Sequence, residues 1–110
     1  MAFAGLDREN FIVTHGRLST FASSEFAERG FCSACGTPLT YRAVKSARIS
    51  VTLGSLDDPN AVAPDSQLGA ESQVQWLPAA LSHSNVRVDA WLTRLNIADV
   101  GSRQHPDHET

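Results

Sequence analysis

Apolar and polar residues alternate along much of the chain, in short runs separated by glycine, proline, asparagine and aspartate. The clearest run, residues 49–53 (I-S-V-T-L), places three apolar side chains on one face and two small hydroxyls on the other. Residues 39–43 alternate in the same way after Pro38. Because a period of two is typical of a strand, the chain is predicted to be mainly β.

The sequence also predicts a hairpin and a strand that pairs with residues 39–43. Residues 11–14 form a β-rich run that ends near Gly16, and residues 18–21 are expected to return across that turn as a hairpin. Residues 26–31 lead into Cys32 and are expected to be the strand next to residues 39–43.

The pattern changes in the second half of the chain. One helical turn is predicted over residues 57–62 and a strand, weakened by Gly69, over residues 67–75. Val88, Trp91, Leu92 and Leu95 then recur at i, i+3, i+4 and i+7, which predicts one amphipathic helix over about residues 86–96. Residues 101–110 are polar without periodicity and are expected to be a disordered tail.

Length and charge exclude several classes of function. The chain has 110 residues and a formal charge of −3, with its basic residues scattered singly. This length allows one compact domain, and the scattered charge argues against a nucleic-acid partner. No apolar run approaches the roughly 18 residues of a membrane span, and residues 1–6 are too short for a secretory signal. The expected location is the cytoplasm.

The sharpest motif is the C-x-x-C of Cys32 and Cys35, within G-F-C-S-A-C-G-T-P over residues 30–38. Two thiolates in a tight turn converge on one point, and Gly36 can take the positive φ that directs backbone N–H groups at the sulfurs. This is half of a tetrahedral zinc site, so the two cysteines are the candidate metal ligands and zinc is the expected cofactor. A redox or disulfide pair and two unremarkable thiols remain open as alternatives.

Four ligands are needed to close a structural zinc site, and the histidines do not supply the missing two convincingly. His15 and His83 fall in predicted loops, whereas His105 and His108 lie in the polar tail. A solvated role is the expectation for all four.

Other candidate residues have a simpler structural interpretation. Asp57 and Asp58 precede a proline and are expected to cap a turn rather than to act as paired catalytic carboxylates. Trp76 and Trp91 are expected to be core anchors. Glu71 lies in a predicted strand, and periodicity does not decide between a solvated face and a pocket.

Several of these motifs together resemble the glutathione-dependent formaldehyde-activating enzyme family, which includes S-(hydroxymethyl)glutathione synthase and centromere protein V relatives. The resemblance extends over residues 3–81. It is carried by E-R-G-F-C-S-A-C-G-T-P-L-T-Y at 28–41, I-S-V-T-L-G-S-L-D-D-P at 49–59, E-S at 71–72 and W-L at 76–77.

The resemblance implies an Mss4-like β-tent of small antiparallel sheets with a zinc knuckle, followed here by one C-terminal helix. It implies that Cys32 and Cys35 supply half of a structural zinc site, with upstream cysteines completing it and holding a second, catalytic zinc. Those upstream motifs do not occur in this sequence, and residues 1–6 correspond to the strand that follows them. The expected organisation is therefore an N-terminally incomplete zinc-binding domain over residues 1–81 and a C-terminal extension over residues 82–110.

The activity that the resemblance implies is that of a carbon–sulfur lyase acting on the adduct of formaldehyde and glutathione. No catalytic residue transfers to this sequence, and Gln67 stands where relatives commonly have a histidine. Three interpretations follow: a shortened enzyme of little activity, a zinc-binding or dimerisation module that uses Cys32 and Cys35, or a metal-free domain. The expected partners are glutathione or another small thiol adduct and, in the second interpretation, a second copy of the chain.

Overall fold

The computed structural model describes residues 1–83, 85–99 and 101. These residues form two compact units, one spanning Met1–Asp65 and the other falling within Ser66–Ser102. The expected boundary between residues 81 and 82 stays a prediction. The predicted tail lies outside the described residues, apart from Gly101.

The first unit is built on one antiparallel sheet. Its five strands lie in the spatial order β1-β5-β4-β3-β2, and every neighbouring pair is antiparallel. The prediction of a mainly β protein with one helix is confirmed, but the described strands form a single sheet rather than several small ones. The strands are β1 (Phe3–Asp7), β2 (Leu18–Ala22), β3 (Ala27–Cys32), β4 (Pro38–Ala43) and β5 (Arg48–Thr52).

The core of the sheet comes largely from β5 and the residue after it. Ile49 and Leu53 are buried, as the alternation of this strand predicts. Thr52 is also buried, and its hydroxyl donates a hydrogen bond of 2.9 Å to the carbonyl oxygen of Pro38. Because a buried hydroxyl needs a partner, this hydrogen bond ties the end of β5 to the start of β4.

Gly30 allows β3 to approach its two neighbours closely. A β-carbon at this position would collide with the Thr40 hydroxyl on β4 and would lie only 2.8 Å from the Leu18 Cδ2 atom on β2. The register between β3 and β4 also shifts between Gly30 and Phe31, immediately before the cysteine turn. Gly30 is therefore required by packing, although its backbone conformation is ordinary.

The predictions for three segments, residues 11–14, 57–62 and 67–75, are wrong or only partly right. Residues 11–14 form no strand, and β2 pairs with β3 instead, because β propensity does not make a strand without a neighbouring strand to bond. Residues 57–62 contain one hydrogen-bonded turn, from the Ala61 N–H to the Asp58 carbonyl, but no helix. Residues 67–75 contain the short 3₁₀ helix Ala70–Ser72, because Gly69 adopts a left-handed φ of 79° that a strand does not accommodate.

The second unit contains short helices and no strand among its described residues. After Ala70–Ser72 come the 3₁₀ helix Leu77–Ser82 and the helix α1 (Val88–Arg94), which confirms the predicted amphipathic helix with narrower bounds. No helix in the described part of the chain is long and apolar enough to cross a membrane.

Candidate thiol site

The two cysteines lie on the turn that joins β3 to β4. The Cys32 N–H donates to the Thr37 carbonyl oxygen at 3.0 Å, and the Gly36 N–H donates to the Cys32 carbonyl oxygen at 2.7 Å. Gly36 has a φ of 77°, which side chains with a β-carbon rarely adopt. The chain therefore closes the tight turn that the C-x-x-C-G sequence predicts.

The sulfur of Cys35 is hydrogen-bonded to the Thr37 hydroxyl within this turn. The Thr37 hydroxyl oxygen lies 3.1 Å from Cys35 Sγ. This hydroxyl is the largest cause that lowers the pKa of Cys35 below its ordinary value of 9.0, and the Thr37 N–H and the Cys32 thiol lower it further, against an opposing desolvation effect. The turn thus favours the thiolate form, which is the form that binds metals and acts as a nucleophile.

Cys32 and Cys35 fit as two ligands of a tetrahedral zinc ion. Both thiols are free and half-buried, and they lie on the same tight turn. Within residues 1–83, 85–99 and 101, no group of three or more histidine, cysteine, aspartate or glutamate side chains could hold a metal ion. The described residues therefore include two thiols of the type that binds zinc, and zinc binding stays a prediction.

A cavity of about 870 Å³ opens beside the two thiols. Its size falls within the range of small-molecule sites, which bury their ligands against mainly apolar walls with a few polar groups. Cys32 and Cys35 both line it. The larger apolar side chains of the wall are those of Phe11, Val13, Leu18, Leu39, Val51 and Leu56.

Charged and titratable side chains line the same cavity. His15 and Arg17 come from the loop before β2, and Asp57 comes from the segment after β5. The loop reaches the thiols because Leu18, the residue after Arg17, pairs with Cys32 across the β2–β3 ladder. The site therefore combines two thiols, an apolar wall and charges of both signs.

Of the remaining sequence candidates in the sheet unit, Asp58 is not among the residues that line this cavity. His83 is exposed at the end of Leu77–Ser82, and His105 and His108 lie outside the described residues. Asp58 caps its turn, as expected, by accepting a hydrogen bond from the Asn60 N–H at 3.0 Å. Two candidates belong to the second unit. Glu71 is exposed there, and Gln67 donates a hydrogen bond of 2.8 Å to the side chain of Gln73.

The prediction that both tryptophans are core anchors is wrong. Trp76 is 66% exposed and Trp91 is 50% exposed. Trp91 belongs to the periodic apolar face of the predicted helix, but periodicity alone does not show whether such a face is covered.

Sequence reasoning placed His15 in a solvated turn and did not single out Arg17. Both residues are indeed exposed, and both nevertheless border the cavity. The signal that could have found them is the pairing of residues 18–22 with the strand that ends at Cys32. The sequence instead predicts that residues 18–21 pair with residues 11–14, because residues 11–14 have high β propensity.

Comparison with known proteins identifies the family. The sequence model of the glutathione-dependent formaldehyde-activating enzyme family matches residues 1–72, which include the whole sheet and the cysteine turn. The chain belongs to this family. Searches of curated proteins and of solved structures find no significant match.

Proposed function

We propose that the protein is a carbon–sulfur lyase-like member of its family, which binds glutathione or a related thiol adduct in the cavity beside Cys32 and Cys35. The observation that carries this proposal is the position of both thiols on the wall of a cavity of about 870 Å³. Family membership supports the association with glutathione and formaldehyde. We further propose an Mss4-like scaffold and a cytoplasmic location, where thiols stay reduced.

The reaction expected of such a site needs no oxidant or reductant. In the forward direction the glutathione sulfur bonds to the carbonyl carbon of formaldehyde, the carbon–oxygen π bond breaks, and the thiol proton moves to the oxygen. The lyase direction reverses each step. The apolar wall would hold the substrate and exclude water, and the polar residues would orient it.

Zinc is the cofactor that we propose for the cysteine turn. Cys32 and Cys35 would hold it, and the Thr37 hydrogen bonds would keep the Cys35 sulfur in the thiolate form that a metal requires. When bound, zinc closes a structural site and stabilises the folded chain. No catalytic step is assigned to this zinc.

Glutathione titration with detection by nuclear magnetic resonance tests the proposed substrate. We expect glutathione to shift the amide signals of the residues that line the cavity. We also expect ¹³C-formaldehyde to exchange with its glutathione adduct faster than in protein-free buffer. Arg8→Gln provides a control for unspecific charge effects, because Arg8 does not line the cavity. Absence of glutathione binding at millimolar concentration would contradict the proposed function.

A zinc-dependent dimerisation module is the second candidate. It is favoured by the two free, half-buried sulfurs and by the lack of a third metal donor among the described residues. Two copies would together supply four thiolates around a two-fold axis. Metal analysis with native mass spectrometry separates the candidates: one zinc per two chains, with loss of the dimer on chelation, supports the module, whereas a metal-independent monomer contradicts it.

A further inference from the structure

We propose that Arg17 is the specificity-determining residue of the cavity and binds a carboxylate of the thiol ligand. This proposal rests on the proposed function, since it assigns a residue to the recognition of the same class of ligand. It makes a prediction beyond the family description: the site selects carboxylate-bearing thiols over neutral or cationic thiols of similar size.

The first argument is that the guanidinium of Arg17 has no partner within the described part of the chain. The ion pairs found there engage Arg42, Arg48 and Arg87, and Arg29 stacks over the Tyr41 ring at 5.0 Å. No hydrogen bond or ion pair of the Arg17 side chain is found among these residues. Arg17 is exposed, and the planar fork of donors of an arginine matches a carboxylate in a two-bond geometry.

The second argument is position. Arg17 lines the thiol cavity and directly precedes Leu18, which pairs with Cys32. A ligand whose sulfur lies near Cys32 and Cys35 therefore has a cation within the same cavity. The apolar side chains that line the same cavity suit the short carbon skeleton that joins a thiol to a carboxylate.

The third argument concerns the other charges that face the cavity. Asp57 is the acidic residue on this wall, and His15 is the other titratable group besides the thiols. Asp57 would in addition attract an ammonium group carried by the same ligand. The chemistry that fits both Arg17 and Asp57 is that of a small zwitterionic thiol with at least one carboxylate.

Three small thiols of different charge test the assignment: 3-mercaptopropionate, 2-mercaptoethanol and cysteamine. We expect wild-type protein to bind the carboxylate most tightly, and Arg17→Gln to weaken that binding by about tenfold while leaving 2-mercaptoethanol unaffected, which is the effect of losing one charge-assisted hydrogen bond. Arg17→Lys should restore part of the affinity. Arg8→Gln removes the same charge elsewhere on this unit and should leave the carboxylate preference intact.

Alkylation of the two thiols gives a second measurement that needs no stable complex. Iodoacetate carries a carboxylate and iodoacetamide is its neutral counterpart, so the ratio of their rates reports the cation near the thiols. We expect Arg17→Gln to lower this ratio severalfold at low ionic strength, and added salt to lower it in the wild type.

The outcomes separate this proposal from the proposed function. Arg17-dependent binding of 3-mercaptopropionate without binding of glutathione would support the carboxylate site and contradict the glutathione function. Glutathione binding that is unchanged in Arg17→Gln would overturn the assignment of Arg17 and leave the function standing. A carboxylate preference that persists in Arg17→Gln, equal binding of the three thiols, or no binding of any thiol would also overturn the assignment.

Discussion

The sheet unit and the C-terminal unit differ in how they use their apolar residues. Every buried residue in the described part of the chain lies in Met1–Asp65, including Ala27, Ile49 and Leu53. In the second unit, Ala80 and Leu92 are half-buried and the other described side chains are exposed. In the sheet, the paired strands together bury some of their side chains. The seven-residue helix α1 also has a periodic apolar face, but none of its residues is fully buried.

The two units also differ in the structure around the group whose pKa is lowered. In each unit one group has a lowered pKa, and in each the main cause is a residue two positions away: Thr37 for Cys35 and Arg87 for Asp89. The cysteine turn is fixed at both ends by strands of the sheet, whereas Asp89 lies in the first turn of an exposed helix. The comparison indicates that long-range strand pairing supports the cysteine turn, whereas the contact of Asp89 with Arg87 is local.

The largest expected effect comes from Gly30, where the sheet is most tightly packed. Gly30→Ala places a methyl group against Thr40 and Leu18, so we expect a loss of about 1–3 kcal/mol in the free energy of unfolding, as for other overpacked cores. Urea denaturation measures it. Gly54→Ala is the matched control, because nothing lies within 4 Å of a β-carbon there. Equal stability of the two variants would show that β3 has room to move.

Thr52 tests the polar part of the same core. Thr52→Val keeps the shape but removes the donor to the Pro38 carbonyl, and we expect a loss of about 1–2 kcal/mol in the free energy of unfolding. Thr20→Val, at an exposed position on β2, is the control and should change stability by less than about 0.5 kcal/mol. A neutral Thr52→Val variant would mean that water replaces the lost donor.

The next prediction concerns the reactivity of the Cys35 thiol rather than the stability of the fold. Thr37→Val removes the hydroxyl that contributes most to the lowered pKa of Cys35, so that pKa should rise toward its ordinary value. Alkylation of Cys35 by iodoacetamide at neutral pH should then become slower, because the thiolate is the reactive form. Thr37→Ser keeps a hydroxyl and should retain the wild-type rate. An unchanged pH profile in Thr37→Val would assign the shift to the backbone N–H instead.

Much of the sheet could be predicted from sequence because its strands obey a local rule. The alternation at residues 49–53 and 39–43 corresponds to β5 and β4, and the C-x-x-C-G pattern predicted the turn between β3 and β4. These features depend on neighbours in sequence or on a glycine with positive φ at Gly36. The helix α1 was also predicted by its period, although that period does not reveal whether the apolar face is covered.

The cavity could not be predicted because it depends on which strands pair. Residues 11–14 have the composition of a strand, but the described structure leaves Ile12 75% exposed and places Val13 on the cavity wall. Arg17 gains its significance from the pairing of Leu18 with Cys32, which is a long-range feature of the sheet. Composition alone does not encode such a pairing.

The smallest expected effect is at the start of α1, at the exposed ion pair of Arg87 and Asp89. Arg87 Nη2 lies 3.1 Å from Asp89 Oδ2 and is the main cause that lowers the pKa of Asp89 below 3.8. Because this pKa is lower in the folded helix than in the unfolded chain, the pair stabilises α1 above the ordinary pKa and loses its effect as pH falls through the folded value. Arg87→Gln should raise the Asp89 pKa in a carboxyl-carbon titration, whereas Arg94→Gln should leave it unchanged. A pKa shift of equal size in both variants would contradict this prediction. It would assign the low pKa of Asp89 to the general charge of the helix rather than to the Arg87–Asp89 pair.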